Sequence, residues 1–271
     1  MSSSATFQQL SAFDRAHRAR IRTVLTDIDD TLTTNGLLVP EAFAAMAALD
    51  RAGIEVVPIT GRPAGWCDHI ARMWPVAGRV GENGAFFFRY DRTERRMIRR
   101  YWKSAEERAE DRLRLDRVRD RILAEVPGCA VASDQAYREA DLAIDFCEDV
   151  PAISRSEVQR VQAIFAEEGA HAKISSIHVN GWFGEYDKLA MSRILFAEAF
   201  GRDLEQSRES VVFCGDSPND APMFGYFPHS VGVANVMEFA DLLEAAPTYV
   251  TPSVGGSGFS ELAAALLEAR G

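Results

Sequence analysis

The stretch TVLTDIDDT, residues 23–31, sets a short apolar run directly against three aspartates in four positions. Carboxylates repel one another, so Asp27, Asp29 and Asp30 can share one strand end only where the fold brings a compensating charge. Asp27 and Asp29 are two apart, and continued strand geometry directs both to one side with Ile28 opposite. A buried strand that ends in paired acids predicts the mouth of a charged pocket.

The flanking pattern predicts the sheet that carries this strand. Pro40 opens an apolar-rich helix, PEAFAAMAALDRAG, with proline in its favoured first turn and Gly53 at the exit. IEVVPIT reads as a second strand, GRPAGWCDHIARMW as a helix, and RVGENGA as a third strand entering a turn. That alternation argues for parallel βαβ units. From Phe86 the pattern changes. AFFFRYDRTERRMIRRYW alternates about a polar centre like an antiparallel hairpin. SAEERAEDRLRLDRVRDRILAEV is a charged helix with Leu113, Val118, Ile122 and Val126 along one stripe; its charges read as a solvated face. ADLAIDF is a strand, SRSEVQRVQAIFAEEG a helix opened by serine, and HAKISSIHVNGWF one or two strands. Parallel patterning returns near Asp187 with the helix YDKLAMSRILFAEAFG, the buried strand ESVVFCGD, the strand HSVGVAN and a terminal helix. The expected chain is α/β, with a polar segment over 1–20, a core over 21–85 and 186–271, and an inserted α+β module over 86–185.

The 271 residues suffice for one large core or two modest ones. A formal net charge of -10 disfavours nucleic acid and acidic membranes, so an anionic ligand needs a locally positive site. The four cysteines form no CxxC pair and read as reduced thiols. No stretch approaches the roughly 20 apolar residues of a bilayer span, and the N-terminus lacks a signal-peptide core, so a cytoplasmic location is expected.

Four features fall at the C-terminal ends of expected parallel strands or at the helix beside them: DIDDT at 27–31, TGR at 60–62, Lys188, and GDSPND at 215–220. Open parallel sheets bind ligands in the crevice outside those ends, so distant segments converge there. Asp216 and Asp220 bring a second acidic pair to Asp27 and Asp29. Hard oxygen ligands with one lysine nearby suit Mg2+, and the histidine and cysteine ligands of a zinc site are missing from these loops. A carboxylate can attack phosphorus only when the repulsion between two anions is cancelled, which Mg2+ does. A second carboxylate can protonate the leaving alkoxide and then direct water onto the acyl phosphate. Thr60 and Lys188 would hold the phosphoryl oxygens.

DIDDTLT, TGR, DK and GDSPND, in that order, resemble the four motifs of haloacid dehalogenase-like (HAD) hydrolases. The hundred-residue insertion resembles the cap of the Cof-like type IIB subgroup, which includes sucrose-phosphate phosphatase and mannosyl-3-phosphoglycerate phosphatase. The resemblance implies a Rossmann-like core with an α+β cap, and a Mg2+-dependent phosphatase acting on a small phosphorylated metabolite such as a sugar phosphate. It makes Asp27 the nucleophile and Asp29 the general acid/base. It implies that Asp27, Asp216 and the carbonyl of Asp29 ligate the metal, with Asp220 binding it directly or through a neighbour. Thr60, Gly61, Lys188 and Asn219 become the phosphate-binding group. In the cap, His178, Asn180, Trp182 and Glu185 are expected to face the site. Trp182 reads as cap packing ahead of sugar stacking, and Arg62 as touching either substrate or a core acid. Asp30 and Thr31 read as turn caps. A phosphomutase would use the same motifs. A phospho-accepting receiver is disfavoured by the DxD on one strand and by the large insertion, and a sugar-phosphate sensor by the retention of every catalytic acid.

Overall fold

The computed structural model describes residues 7–175 and 177–271. Six strands form one parallel sheet in the order Gln8–Gln9, Tyr249–Val250, Ser230–Gly232, Val211–Gly215, Thr23–Thr26, Glu55–Pro58. Strands buried on both faces must send successive side chains into two different cores. Val24, Val56 and Val212 do enter one, under the helices Pro40–Arg51 and Gly255–Glu268. Leu25, Val57 and Phe213 enter the other, with Met191, Leu195 and Phe196 of Lys188–Phe200. The chain leaves Thr23–Thr26 for Glu55–Pro58 on one side, and later returns to Val211–Gly215 on the other. This reversal of strand order opens a crevice at the C-terminal end of Thr23–Thr26.

The N-terminal stretch from residue 7 is part of this core. Gln8–Gln9 supplies an edge strand, and Leu10 and Phe13 are buried in the first core. Its polar composition hid these two anchors. Residues 1–6 of that stretch lie outside the described residues.

The inserted module has its own antiparallel sheet, ordered His171–Ile174, His178–Trp182, Leu142–Asp145, Ala130–Val131. Helices Ala105–Glu125 and Arg155–Glu167 cover one face. Each begins with a capping box, Ser104 with Glu107 and Ser154 with Glu157, which satisfies two otherwise orphaned N–H groups. The stripe of the first helix runs through Leu115, Val118 and Ile122, whereas Leu113, assigned to it from spacing, is 64% exposed. The 86–101 hairpin, grouped with the insertion in the sequence, packs on the core side, with Phe87 in the second core beside Ile59 and Phe196. Alternation looks the same in either location, so only packing separates the two.

Candidate active site

Asp27 follows the last paired residue of its strand, and its N–H still donates to the Cys214 carbonyl at 2.9 Å. The chain then turns about Ile28, whose carbonyl accepts from the N–H groups of Leu32 at 2.9 Å and Thr33 at 3.0 Å. Ile28 points into the core, while Asp27 and Asp29 line one cavity above the sheet. Asp30 sits in the left-handed region at φ 56, and its N–H is capped by Thr33 Oγ1 at 2.9 Å. Thr31 does more than cap: it is fully buried and donates to Asp216 Oδ1 at 3.1 Å.

Asp27, Asp216 and Asp220 are all buried, with carboxylate oxygens within 4.8 Å of one another. One lysine serves two of them. Lys188 Nζ donates to Asp27 Oδ1 and Asp220 Oδ1, each at 2.8 Å. Burial would lower the Lys188 pKa, but the charges of Asp220 and Asp27 outweigh it and hold the ammonium above its usual range. Asp220 turns its other oxygen to the N–H of Asp216 at 3.1 Å, so both its oxygens already serve the loop and the lysine. Among the described residues the donors to Asp216 are neutral, Thr31 and Asn235. Burial, with the charges of Asp220 and Asp27 added, pushes its carboxyl well above the usual range. Burial likewise carries Asp27 up to about 7, against the opposing charge of Lys188.

The TGR loop arrives from Glu55–Pro58. Thr60 is fully buried, and its Oγ1 accepts from the Arg62 N–H at 3.0 Å. Its hydroxyl therefore braces the turn beneath the cavity, and Gly61 is the residue that lines it. Arg62 resolves toward an acid partner: Nε lies 3.0 Å from each oxygen of Asp29. Its remaining reach crosses to the cap, where Nη2 donates to Glu148 Oε1 at 3.1 Å. Asn219 lines the cavity beside Ser217, whose hydroxyl donates to it at 2.8 Å.

In the cap, alternation along His178–Trp182 sends Val179 to the helices and turns His178 and Asn180 to the cavity. His178 Nε2 lies 2.9 Å from Glu148 Oε2, and Asn180 Nδ2 donates to Asp141 Oδ2 at 3.2 Å. Trp182 is buried, stacks on Tyr186 at 5.6 Å and shares a core cluster with Phe86 and Phe88 of the hairpin. Glu185 does not join the site. Its carboxylate is exposed and meets His171 at 3.0 Å on the surface, because the strand has ended before it.

Among the residues around the cavity that escaped the sequence reading are Asn83, Arg138, Glu148 and Lys173. Arg138, buried, ion-pairs with Asp134 and Asp141 at 3.1 Å and donates to the Gly61 carbonyl at 2.8 Å. It ties cap to core, together with Glu82, whose carboxylate accepts from the N–H of Ala64 in the core and of Glu139, Ala140 and Asp141 in the cap. Lys173 had a signal: it alternates with Ser175 in HAKIS, and it pairs across the sheet with Asn180.

No protein-family model and no curated protein matches the sequence. Solved structures do match. The sucrose-phosphatase from Synechocystis, solved with sucrose and phosphate, aligns at a TM-score of 0.62 and 15% identity, over 90% of this chain and 97% of its own. A haloacid dehalogenase-like hydrolase from Bacteroides thetaiotaomicron aligns at 0.62 and 18%, over 90% and 98%. The C-terminal domain of the Candida albicans trehalose-6-phosphate phosphatase aligns at 0.69 and 12%, over 98% and 99%. The fold is that of the haloacid dehalogenase-like hydrolases. The likeness runs through the inserted cap as well as the core, which is the arrangement the sequence motifs implied.

Proposed function

We propose that the chain is a Mg2+-dependent phosphatase of a small phosphorylated metabolite, working through an aspartyl phosphate on Asp27. The observation that carries this reading is the convergence of Asp27, Asp29, Asp216 and Lys188 at the strand ends, beneath a polar cap. Three buried acids against one lysine leave negative charge unbalanced, and an all-oxygen donor set fits Mg2+. Asp27 and Asp216 would hold the ion with the Asp29 carbonyl, while Asp220 fixes Lys188 and the loop. When bound, Mg2+ supplies the positive charge that lets a phosphate dianion approach a carboxylate.

An Asp27 oxygen forms the bond to phosphorus as the ester oxygen leaves. Asp29, oriented by Arg62, gives that oxygen its proton. Water then attacks the phosphorus of the aspartyl phosphate, its proton passes to Asp29, and Asp27 is restored with release of phosphate. Lys188 keeps Asp27 aimed at phosphorus and offsets charge in the transition state. Sugar-phosphate substrates are supported by the cap's polar cavity wall and by the substrates named for the structural neighbours.

The test is phosphate release from p-nitrophenyl phosphate and from a panel of sugar phosphates. Asp27→Asn should fold as the parent does yet lose at least about a thousandfold in kcat, the scale of removing a group essential to the covalent step. Turnover near the parent level in that variant would exclude the aspartyl phosphate.

A further inference from the structure

Four cations line the cavity over Asp27 or the pocket adjoining it: Arg62, Arg138, Lys173 and Lys188. Three are already neutralised by protein carboxylates, Arg62 by Asp29 and Glu148, Arg138 by Asp134 and Asp141, and Lys188 by Asp27 and Asp220. Lys173 is different. It lines both spaces and makes no ion pair among the described residues. Asp187, the acid that shares the second pocket with it, is spent capping a helix by accepting from Ala190 N–H at 2.7 Å.

A second donor stands in the same two spaces. Asn83 is only 5% exposed and sits at φ 55, a conformation asparagine tolerates better than most residues. That turn lays its amide over Gly61, where an added Cβ would come within 3.2 Å of Nδ2. The Nδ2 group is buried and has no acceptor among the described residues. A buried donor left unpaired is unfavourable, so the site is incomplete until a ligand supplies an acceptor.

We infer that the substrate carries a second anionic group, a carboxylate or a further phosphate, and that Lys173 and Asn83 receive it. This rests on the phosphatase reading above and narrows it to one substrate class. A neutral hydroxyl could satisfy the amide. It would not compensate an ammonium that loses water as the substrate covers it, which an anion does through a charge-assisted hydrogen bond. The phosphoryl group that reacts would lie against Asp27 and Lys188, which line the same two spaces, so the second anion would lie beside it.

The experiment compares kcat/KM within two pairs of esters that differ by one anionic group: 3-phosphoglycerate against glycerol 3-phosphate, and glucose 1,6-bisphosphate against glucose 6-phosphate. The parent enzyme should favour the more anionic member of at least one pair by about tenfold, the scale of one charge-assisted hydrogen bond. Which pair shows it distinguishes carboxylate from phosphate. Lys173→Gln should pull that ratio down toward one, Lys173→Arg should keep most of it, and Asn83→Asp should lower it by repelling the anion. Preference for the less anionic member in both pairs, or a ratio untouched by Lys173→Gln, would overturn the inference. Hydrolysis of p-nitrophenyl phosphate reports separately on the phosphatase assignment: its presence without an anionic preference removes only the second-anion site. Release of no phosphate from any ester removes both.

Discussion

Lys188 is the residue on which the charge balance of the site turns. It is buried between Asp27 and Asp220, and with Asp216 alongside there are three acids to one base. Replacing it by methionine keeps the bulk and removes the charge. Breaking a buried pair by deleting one partner costs about 3–5 kcal/mol, and here two acids lose their partner together. Urea denaturation without metal should show a loss of that order for Lys188→Met. Mg2+ should restore part of it, because a cation among the acids replaces some of the missing charge. An equal loss with and without Mg2+ would place the ion away from these acids. The same balance explains what was legible: the acids and the lysine were identified from motif order alone. Thr60 was named with them, but the direction of its hydroxyl was not legible, since whether it faces a cavity or braces a turn depends on one rotamer that spacing does not specify.

At the scale of elements, the contact that matters is the loop after Leu142–Asp145. Asp145 accepts from the N–H groups of Cys147 at 2.9 Å, Glu148 at 2.7 Å and Asp149 at 2.8 Å, and this turn presents Glu148 to the core. Glu148 then bridges His178 of the cap and Arg62 of the TGR loop. The hydrogen bond from His178, with the Arg62 charge behind it, lowers the Glu148 carboxyl from 4.5 to about 2. A carboxylate depressed on folding adds stability above its unfolded value, and that stability is lost as pH falls toward the folded one. Glu148→Gln should therefore cost about 1 kcal/mol at pH 7, a modest value because the pair is partly exposed. The difference should shrink steadily between pH 4.5 and 2. Denaturation of both proteins across that interval checks it, and a constant gap would assign the effect to packing. The helices and strands of this module were readable from serine caps and alternation. Glu148 was not, because a loop carboxylate acquires meaning only when folding brings an arginine 86 positions away within 3.1 Å.

Across the whole molecule, one chain of formal net charge -10 gathers three buried acids, Asp27, Asp216 and Asp220, in one crevice. Binding of a cation to the folded state alone stabilises by mass action, about 2.7 kcal/mol at a hundred times the dissociation constant. For a chain of this size that corresponds to a rise in Tm of roughly 5–10 °C. Calorimetry with and without Mg2+ should show it, and Asp216→Asn should abolish most of it. A shift retained in that variant would mean the ion binds elsewhere. Among the described residues no helix is long and apolar enough to cross a membrane.

The Glu82 carboxylate has a consequence for how movement of the cap can be observed. It takes the amide hydrogens of Glu139, Ala140 and Asp141 from the cap, and that of Ala64 from the core. Parting the two modules would take the three cap amides away from Glu82 and would leave Ala64, in the core with it, paired. In deuterated water, the uptake rate at 139–141 thus clocks the opening of the cap against an internal standard at 64. A ligand that closes the cap would slow the first without changing the second, and no label need be attached to the protein to see it.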